Sequence, residues 1–258
     1  MCASEDAAGK ATIAEDTGGA VPVTPTALRE EIAVANRILF HQRVVDGFGH
    51  VSLRHPTRPD CFLLARSMAP ALVTADDIIC FGPDGEPLDA RGRAVYLERF
   101  IHSEIFRARP EVISVVHSHS PSVVPFGVVR DVTLRPICHM SGFLAPAAPV
   151  FEIRDTAGPG SDMLIRDRAL GEALARSLGA HAAVLMRGHG STVVGASLHQ
   201  AVFRAVYTEV NARLQADAMR LGAVTFLTDA EAAAAARTND GQIDRAWELW
   251  RMQAAGEV

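Results

Sequence analysis

The sequence lacks several features that define whole classes of protein. Its four cysteines are scattered along 258 residues and form no C-x-x-C pair, which argues against a disulfide scaffold and a cysteine zinc site. It has no run rich in lysine or arginine, so neither nucleic acid nor an anionic membrane is an expected partner. No window holds the roughly 18 uninterrupted apolar residues of a membrane helix. Because the N-terminal segment also lacks the pattern of a signal peptide, we expect a cytoplasmic protein.

What the sequence does contain is an alternation of strand-like and helix-like segments. Residues 1–24 are acidic and rich in small residues, and we expect a disordered arm there, ahead of a single domain over residues 25–258. Strands alternating with helices predict a layered α/β domain that ends in additional helices. The periodicity predicts helices at residues 26 to about 45, 94–109, 166–179, 198 to about 221 and 229–237, and strands at 61–66 and 112–118.

Two histidines stand on either side of one serine in VVHSHSPS, residues 115–122. Side chains at positions i and i+2 of a strand project from the same face, so His117 and His119 are expected to point the same way. Two imidazoles placed in this way can bind one cation. A pair of polar residues at the end of a strand is the more ordinary interpretation, and a metal site would need a third ligand.

His189 is the candidate third ligand. It lies between two glycines in MRGHGST, in a turn between two predicted strands, where little side-chain bulk crowds the imidazole. A polar turn residue is the alternative interpretation. Three histidines from two strand ends would leave coordination positions open, which is typical of a catalytic metal site rather than a closed structural one.

Glu98 is the candidate carboxylate. Glu98 and His102 are four residues apart in YLERFIH, so they would share one face of a helix. Their apolar neighbours favour partial burial, whereas a solvated polar face is the alternative. A carboxylate beside a bound cation can ligate it or act as a general acid or base.

Together, Glu98, VVHSHSP and RGHG stand in the order and spacing of the class II aldolase/adducin family, which the sequence resembles from about residue 27 to 221. The resemblance implies a three-layer α/β/α fold around a central mixed, largely antiparallel sheet. It also implies a cyclic homotetramer, or a multiple of it, with active sites between subunits. Carried over to this chain, it makes His117, His119 and His189 ligands of a divalent metal. Glu98 would be the acid/base and a fourth ligand in the resting state.

The sequence departs from the sugar-phosphate members of this family in three phosphate-binding segments. GHVSLR has His50 in place of an asparagine, LARSMAP replaces a Ser/Thr-Gly turn, and AVYLE replaces a Ser-Ser-Glu sequence. Tyr96 and Leu97 thereby remove two hydroxyl donors and add apolar surface. The guanidinium of Arg66, which Ser67 follows, could bind a substrate carboxylate through two N–H groups. An ion pair between Arg66 and a nearby acidic residue is an equal alternative. We therefore expect a flat, carboxylated small-molecule substrate rather than a phosphorylated one.

The same segments, together with CHMSGFL and PVFEIRDTAG, are more similar to the decarboxylases of hydroxylated aromatic dicarboxylates than to the aldolases. That branch includes 3-hydroxy-2-methylpyridine-4,5-dicarboxylate decarboxylase of vitamin B6 degradation and the dihydroxyphthalate decarboxylases. The resemblance implies a carbon–carbon lyase that uses one divalent metal per subunit. Manganese is favoured, and zinc, iron and cobalt are alternatives. The metal would stabilise an oxyanion, and Glu98 or a water it positions would protonate the ring carbon.

Three further residues are candidates for substrate contacts through the same resemblance. His50 would meet the second carboxylate of the substrate, and His139 lies in a segment that approaches the active site in the family. Tyr207, on the predicted long helix, matches the position of a catalytic tyrosine in the aldolases. For each of the three, an ordinary role in packing or at the surface is the alternative.

Three functions remain open on the sequence alone. The leading one is a metal-dependent decarboxylase of a hydroxylated aromatic or heteroaromatic dicarboxylate. The second is an aldolase or dehydratase that acts on a small, non-phosphorylated carbonyl compound or hydroxy acid. The third is an adducin-like interaction protein without a working site, against which the joint presence of Glu98 and the three histidines argues. The missing phosphate donors favour the first function over the second.

Overall fold

A computed structural model of the protein describes residues 24–257, in which helices flank a central sheet. The strands are β1 (His50–Arg54), β2 (Phe62–Ala65), β3 (Ile78–Phe81), β4 (Ser114–Ser118), β5 (Val150–Phe151), β6 (Ala183–Met186) and β7 (Gly190–Gly195). They form one sheet in the order β3-β2-β1-β4-β7-β6-β5. Neighbouring strands are antiparallel except for β5 and β6, which are parallel. The predicted mixed, largely antiparallel sheet is confirmed.

Helices cover both faces of this sheet. They are α1 (Thr26–His41), α2 (Arg99–Ala108), α3 (Val124–Val128), α4 (Arg154–Ala157), α5 (Arg168–Leu178), α6 (Leu198–Leu221), α7 (Asp229–Asp240) and α8 (Ile243–Ala255). Short 3-10 turns lie at Pro70–Leu72, Ala75–Asp77 and His139–Leu144. Within residues 24–257, no helix combines the length and the apolar character needed to cross a membrane.

Two apolar cores lie on opposite faces of the sheet. Successive residues of a strand point to opposite faces, and the central strand β4 shows the consequence clearly. Val116 packs in one core with residues of α1, α6 and α8, whereas Val115 packs in the other with residues of α2 and α5. This arrangement is the predicted three-layer α/β/α fold.

Helix α2 begins five residues later than its periodicity predicts, at Arg99 instead of residue 94. The preceding segment is held in a non-helical path by bonds to a distant part of the chain. The backbone N–H of Ser67 donates to the carbonyl of Ala94, and the Tyr96 hydroxyl donates to the carbonyl of Met68 at 2.6 Å. Tertiary hydrogen bonds therefore override a helical pattern in the sequence.

Two other helices show how local residues fix a boundary. Helix α1 ends at His41 and not near residue 45, because Arg43 adopts a left-handed backbone conformation with φ of 61°. Helix α6 has the bounds that the sequence predicts. The Ser197 side chain accepts a hydrogen bond from the backbone N–H of Gln200 and caps its first turn.

The predicted disordered arm, residues 1–24, lies outside the described residues except for Thr24. The Thr24 hydroxyl forms a hydrogen bond with Nε2 of His55 at 3.2 Å, so this residue contacts the folded chain. The prediction that residues 25–258 form one domain stays a prediction.

Candidate metal centre

Glu98, His117, His119 and His189 meet at one end of the sheet. One ligand atom from each residue lies within 4.8 Å of the others. The Nε2 atoms of His119 and His189 are 3.0 Å apart. Oε2 of Glu98 lies 3.5 Å from Nε2 of His117 and 3.5 Å from Nε2 of His189. The structure therefore brings together the four residues that the sequence proposes as metal ligands.

Two glycines allow the turn before β7 to carry His189 to this point. Strand β7 is antiparallel to β4, so the start of β7 lies beside the end of β4, which His119 follows. Gly190 approaches β4 so closely that a Cβ there would collide with the carbonyl oxygen of Ser118. Gly188 has φ of 64°, which a side chain disfavours. The G-H-G sequence thus sets the path of the turn, and this path aims the imidazole at the H-x-H segment.

Backbone carbonyls fix the protonation of two of the three imidazoles. Nδ1 of His117 lies 3.1 Å from the carbonyl oxygen of Ser191, and Nδ1 of His189 lies 2.9 Å from that of Met163. A carbonyl oxygen only accepts hydrogen bonds, so each Nδ1 carries the proton. A metal-bound histidine is neutral, and in that state the Nε2 atom of each of these rings presents a lone pair to the cluster.

The Nε2 atom of His117 decides whether these residues fit a metal. It is fully buried and has no hydrogen-bond partner among residues 24–257. A buried polar atom without a partner is costly to leave in that state. A divalent cation would accept this lone pair, and three imidazole nitrogens with one carboxylate oxygen are a usual donor set for such ions. The residues present fit a divalent metal.

The charge state of the cluster suits a cation. Burial by itself would raise the pKa of Glu98, but the neighbouring His117 and His189 more than offset this and bring the pKa well below the ordinary range of a glutamate. The other carboxylate oxygen, Oε1, accepts a hydrogen bond from the backbone N–H of Ile165 at 3.0 Å. Burial, together with the charges of His117 and His189, lowers the pKa of His119 to about 4. Glu98 is therefore ionised and His119 neutral near pH 7.

The predicted pairing of Glu98 and His102 on one helical face is wrong. Glu98 precedes the first residue of α2 and points to the other three candidate ligands, whereas His102 lies within the helix. The predicted burial is confirmed for both. His102 instead bonds to Ser52 and His50 on β1. Sequence reasoning missed Ser52, and the only signal for it was its i+2 spacing from His50 on a strand.

A cavity of about 370 Å³ opens beside Glu98 and His119. Phe48 forms part of its wall, and its ring stacks on that of His119 at 6.0 Å between centroids. Two of the residues predicted to contact the substrate, His50 and Ser67, also lie in the wall. The remaining lining residues are Gly49, Tyr96, Leu97 and Leu164. The cavity is large and apolar enough for a single substituted ring.

Arg66 lies in an ion pair. Its Nε is 2.7 Å from Oδ1 of Asp77, and its side chain is 37% exposed. The sequence left this pairing and a substrate contact as equal alternatives. Because the ion pair uses Nε and neither of the two terminal nitrogens, it is compatible with a carboxylate bound to the outer edge of the guanidinium. A substrate contact for Arg66 stays a prediction.

Tyr207 and His139 are not in the wall of this cavity. Tyr207 packs against Phe203 and Trp250, with ring centroids 4.6 and 6.2 Å away. His139 begins a 3-10 turn, and its carbonyl accepts a hydrogen bond from the side chain of Asn239. Tyr207 is half-buried and His139 is exposed, and their roles as substrate contacts stay predictions.

Comparison with known proteins identifies the family. Over residues 30–216 the sequence matches the family described as Class II Aldolase and Adducin N-terminal domain. The chain belongs to this family. It is 39% identical over 236 residues to decarboxylase tropJ of Talaromyces stipitatus, covering 83% of this chain and 88% of that protein. It is 32% identical over 223 residues to 3,4-dihydroxyphthalate decarboxylase of Arthrobacter keyseri, covering 82% and 87%. The predicted family, its decarboxylase branch and an enzyme of the lyase class are confirmed.

Solved structures support the fold independently. L-fuculose 1-phosphate aldolase from Glaciozyma antarctica PI12 superposes with a TM-score of 0.72 at 22% identity, covering 90% of this chain and 91% of that one. An aldolase II superfamily protein from Pseudomonas syringae gives a TM-score of 0.73 at 22% identity, covering 90% and 94%. At this level of identity the likeness concerns the fold, which is that of the class II aldolases.

Proposed function

We propose that this protein is a metal-dependent decarboxylase that removes one carboxylate, without oxidation, from a hydroxylated aromatic dicarboxylate. The name of the relative from Arthrobacter keyseri, 3,4-dihydroxyphthalate decarboxylase, supports this substrate class. The unpartnered, buried Nε2 of His117 is the observation that carries the metal dependence. Manganese is the favoured ion, and zinc, iron and cobalt suit the same donors.

His117, His119 and His189 would hold the metal through Nε2, and Oε2 of Glu98 would complete the set at rest. When bound, the metal supplies a fixed positive charge that stabilises the oxygen onto which the electrons of the broken carbon–carbon bond are spread. The carbonyls of Ser191 and Met163 keep two of the imidazoles in the required tautomer.

Glu98 would carry the proton of the reaction. Its carboxylate is ionised before substrate binds, so Oε2 can take the proton of the substrate hydroxyl. The same carboxyl group then gives that proton to the ring carbon that bears the leaving carboxylate, which converts the phenolate into a ketone. The carbon–carbon bond then breaks, its electrons pass to the ketone oxygen as the ring regains aromaticity, and carbon dioxide leaves. The hydrogen bond from Ile165 to Oε1 keeps the carboxyl in place during both transfers. One residue thus acts first as base and then as acid.

The cavity wall supports a flat, carboxylated substrate. Phe48 and Leu97 present apolar surface to a ring, and His50 and Ser67 present polar groups. Arg66, next to Ser67 in the chain, would pair with a carboxylate through its terminal nitrogens. A sugar phosphate would find few donors on such a wall, which is why we favour decarboxylation over aldol cleavage.

Release of carbon dioxide from a panel of compounds tests this proposal. With Mn²⁺, we expect turnover of 3,4-dihydroxyphthalate or 3-hydroxy-2-methylpyridine-4,5-dicarboxylate, because each carries a hydroxyl beside a carboxylate. We expect its loss after treatment with EDTA and its return when Mn²⁺ is added back. Absence of carbon dioxide from every compound, together with cleavage of L-fuculose 1-phosphate, would instead support the aldolase function.

We also propose that the chain assembles into a homotetramer around this site. Large apolar side chains are exposed beside the cavity: Phe48 is 68% exposed and Leu97 is 58% exposed. A partner subunit would cover such surface. Light scattering is expected to give a mass four times that of the 27.6 kDa chain. A fully active monomer would contradict the proposal. The cytoplasmic location expected from the sequence stays a prediction.

A further inference from the structure

Three buried polar side chains form a hydrogen-bonded chain beneath the cavity. The hydroxyl of Ser52 lies 2.6 Å from Nδ1 of His102, and Nε2 of His102 lies 2.7 Å from Nδ1 of His50. Ser52 and His102 are 0% exposed and His50 is 3% exposed. His50 lies in the cavity wall, so this series of hydrogen bonds leads from the protein interior to the proposed substrate region.

The direction of this chain follows from counting donors and acceptors. The Ser52 hydroxyl makes no hydrogen bond other than that to His102 among residues 24–257. If Nδ1 of His102 donated to Ser52, the hydroxyl proton of Ser52 would be buried without an acceptor, which is costly. The satisfied arrangement is the reverse. Ser52 donates to Nδ1 of His102, and Nε2–H of His102 donates to Nδ1 of His50.

His50 then carries its own proton on Nε2. This nitrogen makes no hydrogen bond within the described part of the chain, and His50 forms part of the cavity wall. Packing also restrains the orientation of the His50 ring, which lies against Tyr96 at 4.5 Å and against His117 at 5.1 Å between centroids. A bound molecule at the cavity would therefore meet a fixed N–H donor beside the metal ligands.

The residues around His102 keep the hydrogen bonds between Ser52, His102 and His50 in this one arrangement. The ring of Phe62 stacks on that of His102 at 6.3 Å and shields it from water. Burial lowers the pKa of His102 to about 3, so its ring is neutral near pH 7. A neutral imidazole that accepts at one nitrogen must donate at the other. The Ser52 hydroxyl therefore dictates which nitrogen of His50 is protonated.

We infer that Ser52 and His102 are positioning residues that fix His50 as an N–H donor, and that this donor selects substrates with a second carboxylate beside the reacting one. The substrate class rests on the proposed function, whereas the tautomer rests on the hydrogen bonds alone. A donor at His50 binds a carboxylate oxygen, which only accepts, and discriminates against a ring that lacks this group.

Neutron diffraction from crystals of the zinc-loaded protein tests the tautomer directly. We expect hydrogen on Nε2 of His50 and on Nε2 of His102 in the wild type. In the Ser52→Ala protein we expect the hydrogen of His102 to be lost from Nε2 or divided between the two nitrogens, while Ser52→Thr restores the wild-type pattern. Hydrogen on Nδ1 of His50 in the wild type would overturn the inference.

Binding measurements on the same zinc-loaded proteins test the selectivity. The probes are 3,4-dihydroxyphthalate and 2,3-dihydroxybenzoate, which keeps a hydroxyl beside a carboxylate but lacks the second carboxylate. Ser52→Ala and His102→Phe are expected to lower affinity for the first compound about tenfold and to leave the second unchanged. The His102→Gln protein, which keeps an N–H donor at this position, should retain most of the wild-type affinity for 3,4-dihydroxyphthalate. Zinc content should stay at the wild-type level in all variants.

Three outcomes separate the possible failures. An equal loss of affinity for both probes, or no loss for either, would overturn the role of this chain in selectivity. If neither probe binds to the wild type, the proposed substrate class is wrong, and the proposed selectivity is then wrong as well. The hydrogen positions from neutron diffraction would still decide whether Ser52 and His102 fix the tautomer of His50.

Discussion

The Glu98→Gln protein is expected to keep its metal and to lose at least about 99% of its carbon dioxide release. Glutamine has nearly the same shape as glutamate, and its amide oxygen can still accept the hydrogen bond that Ile165 donates to Oε1. It cannot take a proton from the substrate hydroxyl at the position of Oε2. Turnover should therefore fall, whereas the three histidines still bind the ion.

Metal content by mass spectrometry and turnover of 3,4-dihydroxyphthalate with saturating Mn²⁺ check this expectation. Glu104→Gln is the matched control, because Glu104 is also a buried glutamate but lies within α2, beside Arg107 and Arg168. We expect the control to stay close to wild-type activity. Near-normal turnover of the Glu98→Gln protein would show that Glu98 does not transfer the proton.

Replacing His117 by alanine is expected to weaken metal binding by at least roughly a hundredfold and to abolish turnover. His117 provides one of the three imidazoles of the cluster and is fully buried. Alanine removes its Nε2 and supplies no nitrogen in its place. The remaining donors, His119, His189 and Glu98, would hold an ion less tightly and in an altered geometry.

Thermal unfolding gives a readout that does not depend on substrate. A ligand that binds the folded state raises Tm, so Mn²⁺ should stabilise the wild type and not the His117→Ala protein. His181→Ala is the control, because the His181 side chain forms no hydrogen bond in the part of the chain that the structure describes and lies outside the cluster. An equal rise in Tm for wild type and His117→Ala would contradict the assignment of His117 as a ligand.

Short-range patterns in the sequence were enough to find the candidate ligands. His117 and His119 follow from the two-residue period of a strand, and His189 follows from the glycines that flank it. Both signals depend on local backbone geometry, which the residues themselves impose. The alternation of strands and helices likewise predicted the layered fold, because each element needs an apolar partner on its buried face.

Longer-range contacts decided what local patterns could not. Helical periodicity extended α2 back to residue 94, but bonds from Ser67 and Tyr96 hold the chain ahead of it in another path. As a result Glu98 stands just before the helix and meets the histidines, while His102 belongs to a different set of contacts. The free energy of these bonds exceeds the small propensity differences that a periodicity reflects.

The sequence by itself determined the family, the layered α/β architecture and the four residues of the candidate metal centre. Only the tertiary structure joined Ser52, His102 and His50, and only it placed Arg66 against Asp77. The physical reason is the same in both cases. A hydrogen bond between residues far apart in the chain depends on which strand lies beside which helix, and that neighbourhood is set by the packing of the whole domain.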